Sequence, residues 1–278
     1  MSNCGKKIRL GRVLDPRTQK SVAVAFDHGL SSGPIAGCIK PQETIAKLVE
    51  GGADAILVSP GVARLCADFF VGKSAPALIL RLDWTNMFRP GDRLGYKEGR
   101  TALIGAVEDA IRFGADAVLT FMFVGYEDPG IEAAEVEKNA MLSRACEAAG
   151  IPHIIEPMAR GLLANSKRFD AELIRMHVRN AAEIGADAIK TDYSGQKESF
   201  ASVVEGCPVP ILIAGGPKAE STEASLEMVE GAMRAGAVGV LFGRNVFQAA
   251  DPAKMLKAIR AIVHDDLSAK SAIEKYLA

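Results

Sequence analysis

The 278-residue sequence predicts a single closed (β/α)8 barrel, on three observations. A helix-to-strand joint recurs as Gly52-Ala-Asp-Ala-Ile56, Gly114-Ala-Asp-Ala-Val118 and Gly185-Ala-Asp-Ala-Ile189, with a weaker copy at Gly236-Ala-Val-Gly-Val240. The copies are spaced by about two strand-helix units, at about 30 residues per unit. Between them lie further apolar runs of strand length, near-continuous as strands buried on both faces require. An open doubly wound sheet gives no reason for a fourfold joint, and no Gly-x-Gly-x-x-Gly follows the first strand.

The elements follow in strict alternation. Val-Ala-Val-Ala-Phe at 22–26 is the first strand, and the amphipathic stretch 42–50 is the helix that enters the first joint and the second strand. A helix at 62–70 leads to the third strand, 77–82. The helix at 101–113 runs into the second joint, whose apolar continuation 117–124 is the fourth strand. Helix 132–149, strand 153–156, helix 171–184 and the third joint supply units five and six. Helix 197–205, strand 210–214, helix 222–235 and the weak fourth joint supply seven and eight. The glycine of each joint is suited to the left-handed cap that ends a helix. Helix 252–264 completes the set. One domain is therefore expected over 1–278, with the barrel over about 20–265 and a tail helix over about 268–277 that could pack on a neighbour.

Composition narrows the function. Hydrophobic residues make up 49% of the chain and the formal net charge is −1, so a large core is available and nucleic acid is not an expected partner. The longest apolar runs are strand-sized, short of a membrane span. The N-terminus has no apolar core of a signal peptide. Five scattered cysteines without a Cys-x-x-Cys fit reduced thiols in a cytoplasm. Four isolated histidines argue against a zinc site.

In such barrels the chemistry sits at the carboxyl ends of the strands. Lys190 stands where the sixth strand runs out. Burial disfavours the ammonium form of a lysine, and the free amine attacks carbonyls to form Schiff bases; the plainer alternative is a lysine that snorkels to solvent. Asp27 and His28 follow strand one and suit hydroxyl binding or proton transfer, against a simple Asx turn. Asp83 and Trp84 follow strand three, the tryptophan either walling a sugar pocket or packing under a loop. Strand five closes in Glu156, followed by Arg160. Glu156 suits proton transfer, or else a salt bridge to Arg160 or Lys190. Strands seven and eight end in Gly215-Gly216-Pro217-Lys218 and Gly243-Arg244-Asn245. Glycine-rich loops with a cation after these two strands are the recurrent phosphate site of the fold.

Phe26-Asp-His-Gly-Leu-Ser-Ser-Gly-Pro-Ile35, Asp187-Ala-Ile-Lys-Thr-Asp-Tyr-Ser-Gly195, Gly215-Gly-Pro-Lys218 and Gly243-Arg-Asn-Val-Phe-Gln248 together resemble the class I aldolase group of (β/α)8 barrels. That group includes archaeal-type fructose-bisphosphate aldolase, aminodideoxyheptulosonate synthase and, more distantly, deoxyribose-phosphate aldolase. The resemblance spans nearly the whole chain. It implies Lys190 as the Schiff-base lysine, Asp27 and His28 as groups near substrate hydroxyls, and Gly215, Gly216, Gly243 and Arg244 as a phosphate cradle with Lys218 close by. It also implies a homo-oligomer. Where fructose-bisphosphate and heptulosonate members usually carry Tyr-Pro-Arg-Gly, this chain has Met158-Ala-Arg-Gly161, and a methionine moves no proton. Glu156 is the residue expected to take that role.

The expected function is a metal-independent aldehyde-lyase that makes or breaks a carbon–carbon bond in a phosphorylated ketose through a Lys190 imine. No cofactor is called for, since the protonated imine is the electron sink. A transaldolase or heptulosonate synthase type of transferase on the same imine is the alternative. A non-catalytic sugar-phosphate sensor is a third reading, which has no need of Lys190 and Glu156 together.

Overall fold

The computed structural model describes residues 3–89 and 91–278. Among them β1 (Ser21–Phe26), β2 (Ala55–Val58), β3 (Ala77–Arg81), β6 (Ala117–Val124), β7 (His153–Ala159), β8 (Ala188–Thr191), β9 (Ile211–Ala214) and β10 (Gly239–Phe242) close into one parallel barrel. The order around it is β1-β10-β9-β8-β7-β6-β3-β2, and the helices between strands surround it: the single (β/α)8 barrel that the sequence predicts. A two-stranded antiparallel sheet, β4 (Asp83–Thr85) with β5 (Thr101–Leu103), sits on the rim.

Side chains alternate along each strand and divide the core in two. Val22, Val24, Ile56, Leu80, Val118, Ile155, Ile189 and Val240 face outward onto the helices in one large cluster. Ala23, Ala25, Leu57, Ile79, Leu119, Ile154, Ala188, Leu212 and Leu241 face inward and fill the barrel with Val13.

The repeated joint acts at the opposite end from the chemistry. Its glycines Gly52, Gly114, Gly185 and Gly236 have φ of 81°, 67°, 106° and 102°, the left-handed region where a Cβ is costly. Its aspartates tie one strand to the next. Asp54 accepts the Val22 N–H at 2.7 Å, Asp116 the Leu78 N–H at 2.9 Å and Asp187 the His153 N–H at 2.8 Å. Each also holds a cation: Asp54 takes Arg260 at 2.6 Å, Asp116 takes Arg12 at 2.8 Å and Asp187 takes Lys6 at 2.9 Å. Lys6 and Arg12 belong to the helix Cys4–Val13, which has no counterpart in the sequence reading and covers the lower end of the barrel with Val13 in its core.

Three element boundaries differ from expectation. Thr101–Leu103 is a strand, not the first turn of a helix; the Ile104 and Gly105 N–H groups donate to the Leu82 carbonyl, and the helix covers only Val107–Arg112. The helix expected at 62–70 is an α-helix at Pro60–Leu65, capped by Ser59, then a 3-10 turn at Ala67–Phe70. Strand β7 runs past Pro157 to Ala159, in register with β6 from Val118↔His153 to Val124↔Ala159. Pro157 is tolerated because the β8 ladder on the other side ends at Ile155↔Ile189. The tail helix Ala269–Tyr276 packs on helices Pro252–Asp265 and Thr222–Arg234 of its own chain.

Candidate active site

Two residues beyond each inward-facing apolar side chain, the barrel interior turns polar. Ala25 is followed by Asp27, Ile79 by Arg81, Ile154 by Glu156 and Ala188 by Lys190, so strand periodicity brings four charged groups to one layer. Together with His28, Phe121, Met158, Gly215, Gly216, Gly243 and Arg244 they line a cavity of about 360 Å³ at the carboxyl end of the barrel.

Arg81 is the hub. Its Nε donates to Asp27 Oδ2 at 2.7 Å, one terminal nitrogen donates to Glu156 Oε2 at 2.9 Å, and the other lies 3.5 Å from Asp83 Oδ1. The guanidinium also lies over the Phe121 ring, 3.8 Å from its centroid. Glu156 presents its other oxygen to Lys190, with Nζ at 2.7 Å from Oε1. Asp83 accepts from Lys138 Nζ at 2.9 Å and from the Phe121 N–H at 2.9 Å.

Arg81, Asp83, Glu156 and Lys190 are buried and Asp27 and Lys138 nearly so, and the network sets the charges. Burial opposes ionisation of Arg81, yet Asp27, Glu156 and Asp83 outweigh it and hold the guanidinium above its ordinary range. Burial likewise pushes the Asp27 carboxyl up, and Arg81 with His28 and Lys190 brings it below the usual range. Asp83 stays above it, because burial exceeds the help of Lys138 and Arg81. Burial takes the His28 imidazole down to about 4 despite Asp27 at 3.6 Å, so it is neutral near pH 7.

The loops after β9 and β10 meet at one side. Arg244 donates to the Gly216 carbonyl at 3.0 Å, and Asn245 donates to the Gly215 carbonyl at 2.8 Å and accepts the Ala219 N–H at 2.7 Å. The three glycines differ in what they allow. Gly216 has φ of 63° and open space where a Cβ would stand. A Cβ on Gly215 would strike Asn245 and Phe242, and one on Gly243 would lie 2.3 Å from His28 Cε1, so these two also serve packing. Arg244 and Arg168 each leave a buried Nε without a hydrogen-bond partner among the described residues. Burial first, then their mutual repulsion, lowers the Arg244 pKa.

The remaining expected residues are placed as follows. Arg160 lines the cavity and pairs with Asp192 at 2.7 Å. Asp83 lies in the cavity wall, but its side chain has no accessible surface and its oxygens serve Arg81, Lys138 and Phe121. Lys218 does not join the cavity; it is exposed, with Nζ on the Gln248 carbonyl at 3.1 Å. Trp84 lines the mouth and donates its indole N–H to the Leu30 carbonyl at 2.8 Å, which pins the loop after β1. Arg81, Lys138, Arg168 and Asn245 went unread in the sequence. Arg81 carried the same signal as Lys190 and Glu156, a charge closing an apolar strand. Lys138 reaches the site from an outer helix and Arg168 from the turn after the 3-10 segment that follows β7, and both carried none.

Residues 21–249 match the DeoC/LacD family aldolase profile. An uncharacterised aldolase of Saccharolobus solfataricus is 38% identical over 97% of this chain and 98% of its own length. The 2-amino-3,7-dideoxy-D-threo-hept-6-ulosonate synthase of Halobacterium salinarum is 36% identical over 99% of this chain and 97% of its own. An archaeal fructose-1,6-bisphosphate aldolase, solved with its catalytic lysine covalently bound to the carbinolamine intermediate of the substrate, superposes with a TM-score of 0.81 at 29% identity, over 93% of this chain and 99% of that one.

Proposed function

The chain belongs to the DeoC/LacD family of aldolases and is an aldolase-type lyase, and on that premise we propose that it makes or breaks a carbon–carbon bond in a phosphorylated ketose through an imine on Lys190. The observation that carries this reading is the contact of Lys190 Nζ with Glu156 Oε1 at 2.7 Å, in the same cavity as Gly216 and Arg244.

In the ketol-cleaving direction Glu156 takes a proton from Lys190, freeing the amine to attack the ketone. The same carboxyl returns that proton to the carbinolamine hydroxyl, and water leaves. The iminium then accepts the electrons of the breaking carbon–carbon bond, while Glu156 takes the proton of the departing hydroxyl. Arg81, fixed on the second oxygen of Glu156, holds the carboxyl in line, and Asp27 assists from the other side of the guanidinium. Asp83 acts as a positioning residue for Arg81, in place of the substrate contact expected from sequence. His28, neutral, serves as a hydrogen-bonding group rather than a charge. Gly216, Arg244 and Arg168 take the phosphate, with the Gly215 and Gly243 backbone beside them and Arg160 at the edge.

The archaeal fructose-bisphosphate aldolase supports the phosphorylated ketose, and the synthase relative supports a transferase on the same imine as the second reading. We take the chain as one domain acting in the cytoplasm as a homo-oligomer. Five free cysteines support the compartment, and the exposed side chains of Leu103, Ile104 and Met141 support association.

Borohydride reduction in the presence of dihydroxyacetone phosphate is expected to attach the ligand to the peptide carrying Lys190. Labelling elsewhere, or retro-aldol activity in Lys190→Ala, would remove the imine mechanism. A retro-aldol rate that depends on an added acceptor aldehyde would favour the transferase.

A further inference from the structure

The two sides of the cavity differ in kind. Around the barrel, β6 stands four strands from β10 in either direction, and β3 stands four from β9. The glycine loops with Arg244 therefore face, across the mouth, the wall built by β6 and by the chain that follows β3. That wall is aromatic and aliphatic. Phe121 stacks on Phe123 with centroids 4.9 Å apart, Phe88 meets both edge-on at 5.6 and 5.7 Å, and Met87 and Met158 pack beside them. Phe88, Phe121, Met87 and Met158 all line the cavity, and Phe88 retains 40% of its surface exposed.

Three polar groups of this wall are engaged. The Trp84 indole N–H serves Leu30, the Thr85 hydroxyl donates to the Arg100 carbonyl at 2.9 Å, and Arg160 is held by Asp192. Arg81 is saturated by carboxylates. On the opposite side Arg168 and Arg244 keep an unpartnered nitrogen each. Tyr96 and Lys97, both exposed, also line the rim on the segment that follows β3. A charged or polyhydroxylated group laid on the rings of Phe88 and Phe121 would give up water for carbon surface, at a cost that an alkyl group does not meet.

We propose that the aromatic wall receives the aldehyde half of the reaction, and that this half is an unphosphorylated aldehyde with an apolar substituent. The inference rests on the imine reading of Lys190 and names its second substrate class. In the synthetic direction the phosphorylated ketone condenses with Lys190 Nζ and releases water. Glu156 takes a proton from the carbon next to the iminium, which gives the enamine. That carbon bonds to the aldehyde carbonyl carbon, Glu156 protonates the resulting alkoxide, and water hydrolyses the imine to restore the lysine. Phe88 is the specificity-determining residue, since it lines the cavity with 40% of its surface exposed and meets both Phe121 and Phe123 edge-on.

The experiment combines dihydroxyacetone phosphate with acetaldehyde, propanal, butanal and D-glyceraldehyde 3-phosphate, and runs borohydride trapping with the ketone alone in parallel. Trapping on Lys190 is expected, with kcat/KM rising about fourfold per methylene along the alkyl series and exceeding that for the phosphorylated aldehyde by about tenfold or more. Phe88→Ser is expected to flatten the alkyl series while trapping with the ketone stays at the parental level. Trapping together with a flat series, or with preferred use of D-glyceraldehyde 3-phosphate, would overturn this inference and leave the imine reading standing. Failure of trapping itself would overturn both.

Discussion

Glu156 occupies the decisive position at the scale of single residues. One of its oxygens meets Lys190 and the other Arg81, so one carboxyl couples the proposed nucleophile to the buried guanidinium. Glu156→Gln keeps the shape and removes the proton acceptor. It is expected to lower kcat by 10²–10⁴-fold, the usual worth of general acid–base catalysis, while a reducible imine still forms slowly on Lys190. Near-parental turnover would move the role to Asp27. Arg244 tests the anion side. Its loss removes a charge-assisted contact of about 1.5–3 kcal/mol, so Arg244→Ala is expected to raise KM or Kd for a phosphorylated ketone about 10- to 150-fold. Equal affinity of the parent for phosphorylated and unphosphorylated ketones would show that no such site operates.

Elements explain why the site is held still. The Gly-Ala-Asp-Ala joint reads in sequence as a helix end followed by a strand, and it is that. Its aspartate, however, is the latch between neighbouring strands, a role visible only when Val22, Leu78 and His153 are seen lying across from Asp54, Asp116 and Asp187. Asp54 carries a clear pH signature. Burial pushes its carboxyl up, but hydrogen bonds from His264 and Arg260 and from the Val22 N–H bring it below the ordinary range. A depressed folded-state pKa means stability that is present above the unfolded value of about 3.9 and lost as pH falls through the folded value. Asp54→Asn is expected to cost about 3 kcal/mol near neutral pH, as for a broken buried pair, measured by urea unfolding. The gap from the parent should narrow as the pH approaches 3; a gap that stays constant would assign the loss to packing alone.

For the whole molecule, the buried His153 and His177 and the partly buried His28 set the acid side of stability. Burial takes His28 to about 4, and His153 and His177 to about 3. Each is neutral when folded, whereas the unfolded chain binds a proton near pH 6.5. The unfolded state therefore holds more protons between these values, so stability is full above about 6.5 and falls as pH drops from there. At pH 5 the loss is on the order of 2 kcal/mol per histidine. Urea midpoints are expected to fall steadily from pH 7 to pH 5, and unchanged midpoints would mean that these imidazoles are not held neutral. His153 also bridges the Thr120 hydroxyl at 2.7 Å and the Ser143 hydroxyl at 2.9 Å, which fastens the helix Pro129–Ala149 to β6 and β7. That helix carries Lys138 to Asp83, so the outer layer reaches the centre of the site.

Periodicity and cap chemistry are local, and they determined the barrel, its strand order of appearance and the polar layer at its carboxyl end. A helix ends at a left-handed glycine and a strand alternates its faces whatever the rest of the chain does, which is why Lys190, Glu156 and Asp27 were legible. Partnership across the barrel is not local. Arg81 and Glu156 are 75 residues apart and Lys138 and Asp83 are 55 apart, so no spacing rule could join them. Only closure of the ring decided that Arg81 links two carboxylates, that Lys218 turns away to Gln248, and that an aromatic wall faces the glycine loops. The physical reason is that electrostatics and desolvation depend on distance through space, which the chain fixes only when the eighth strand meets the first.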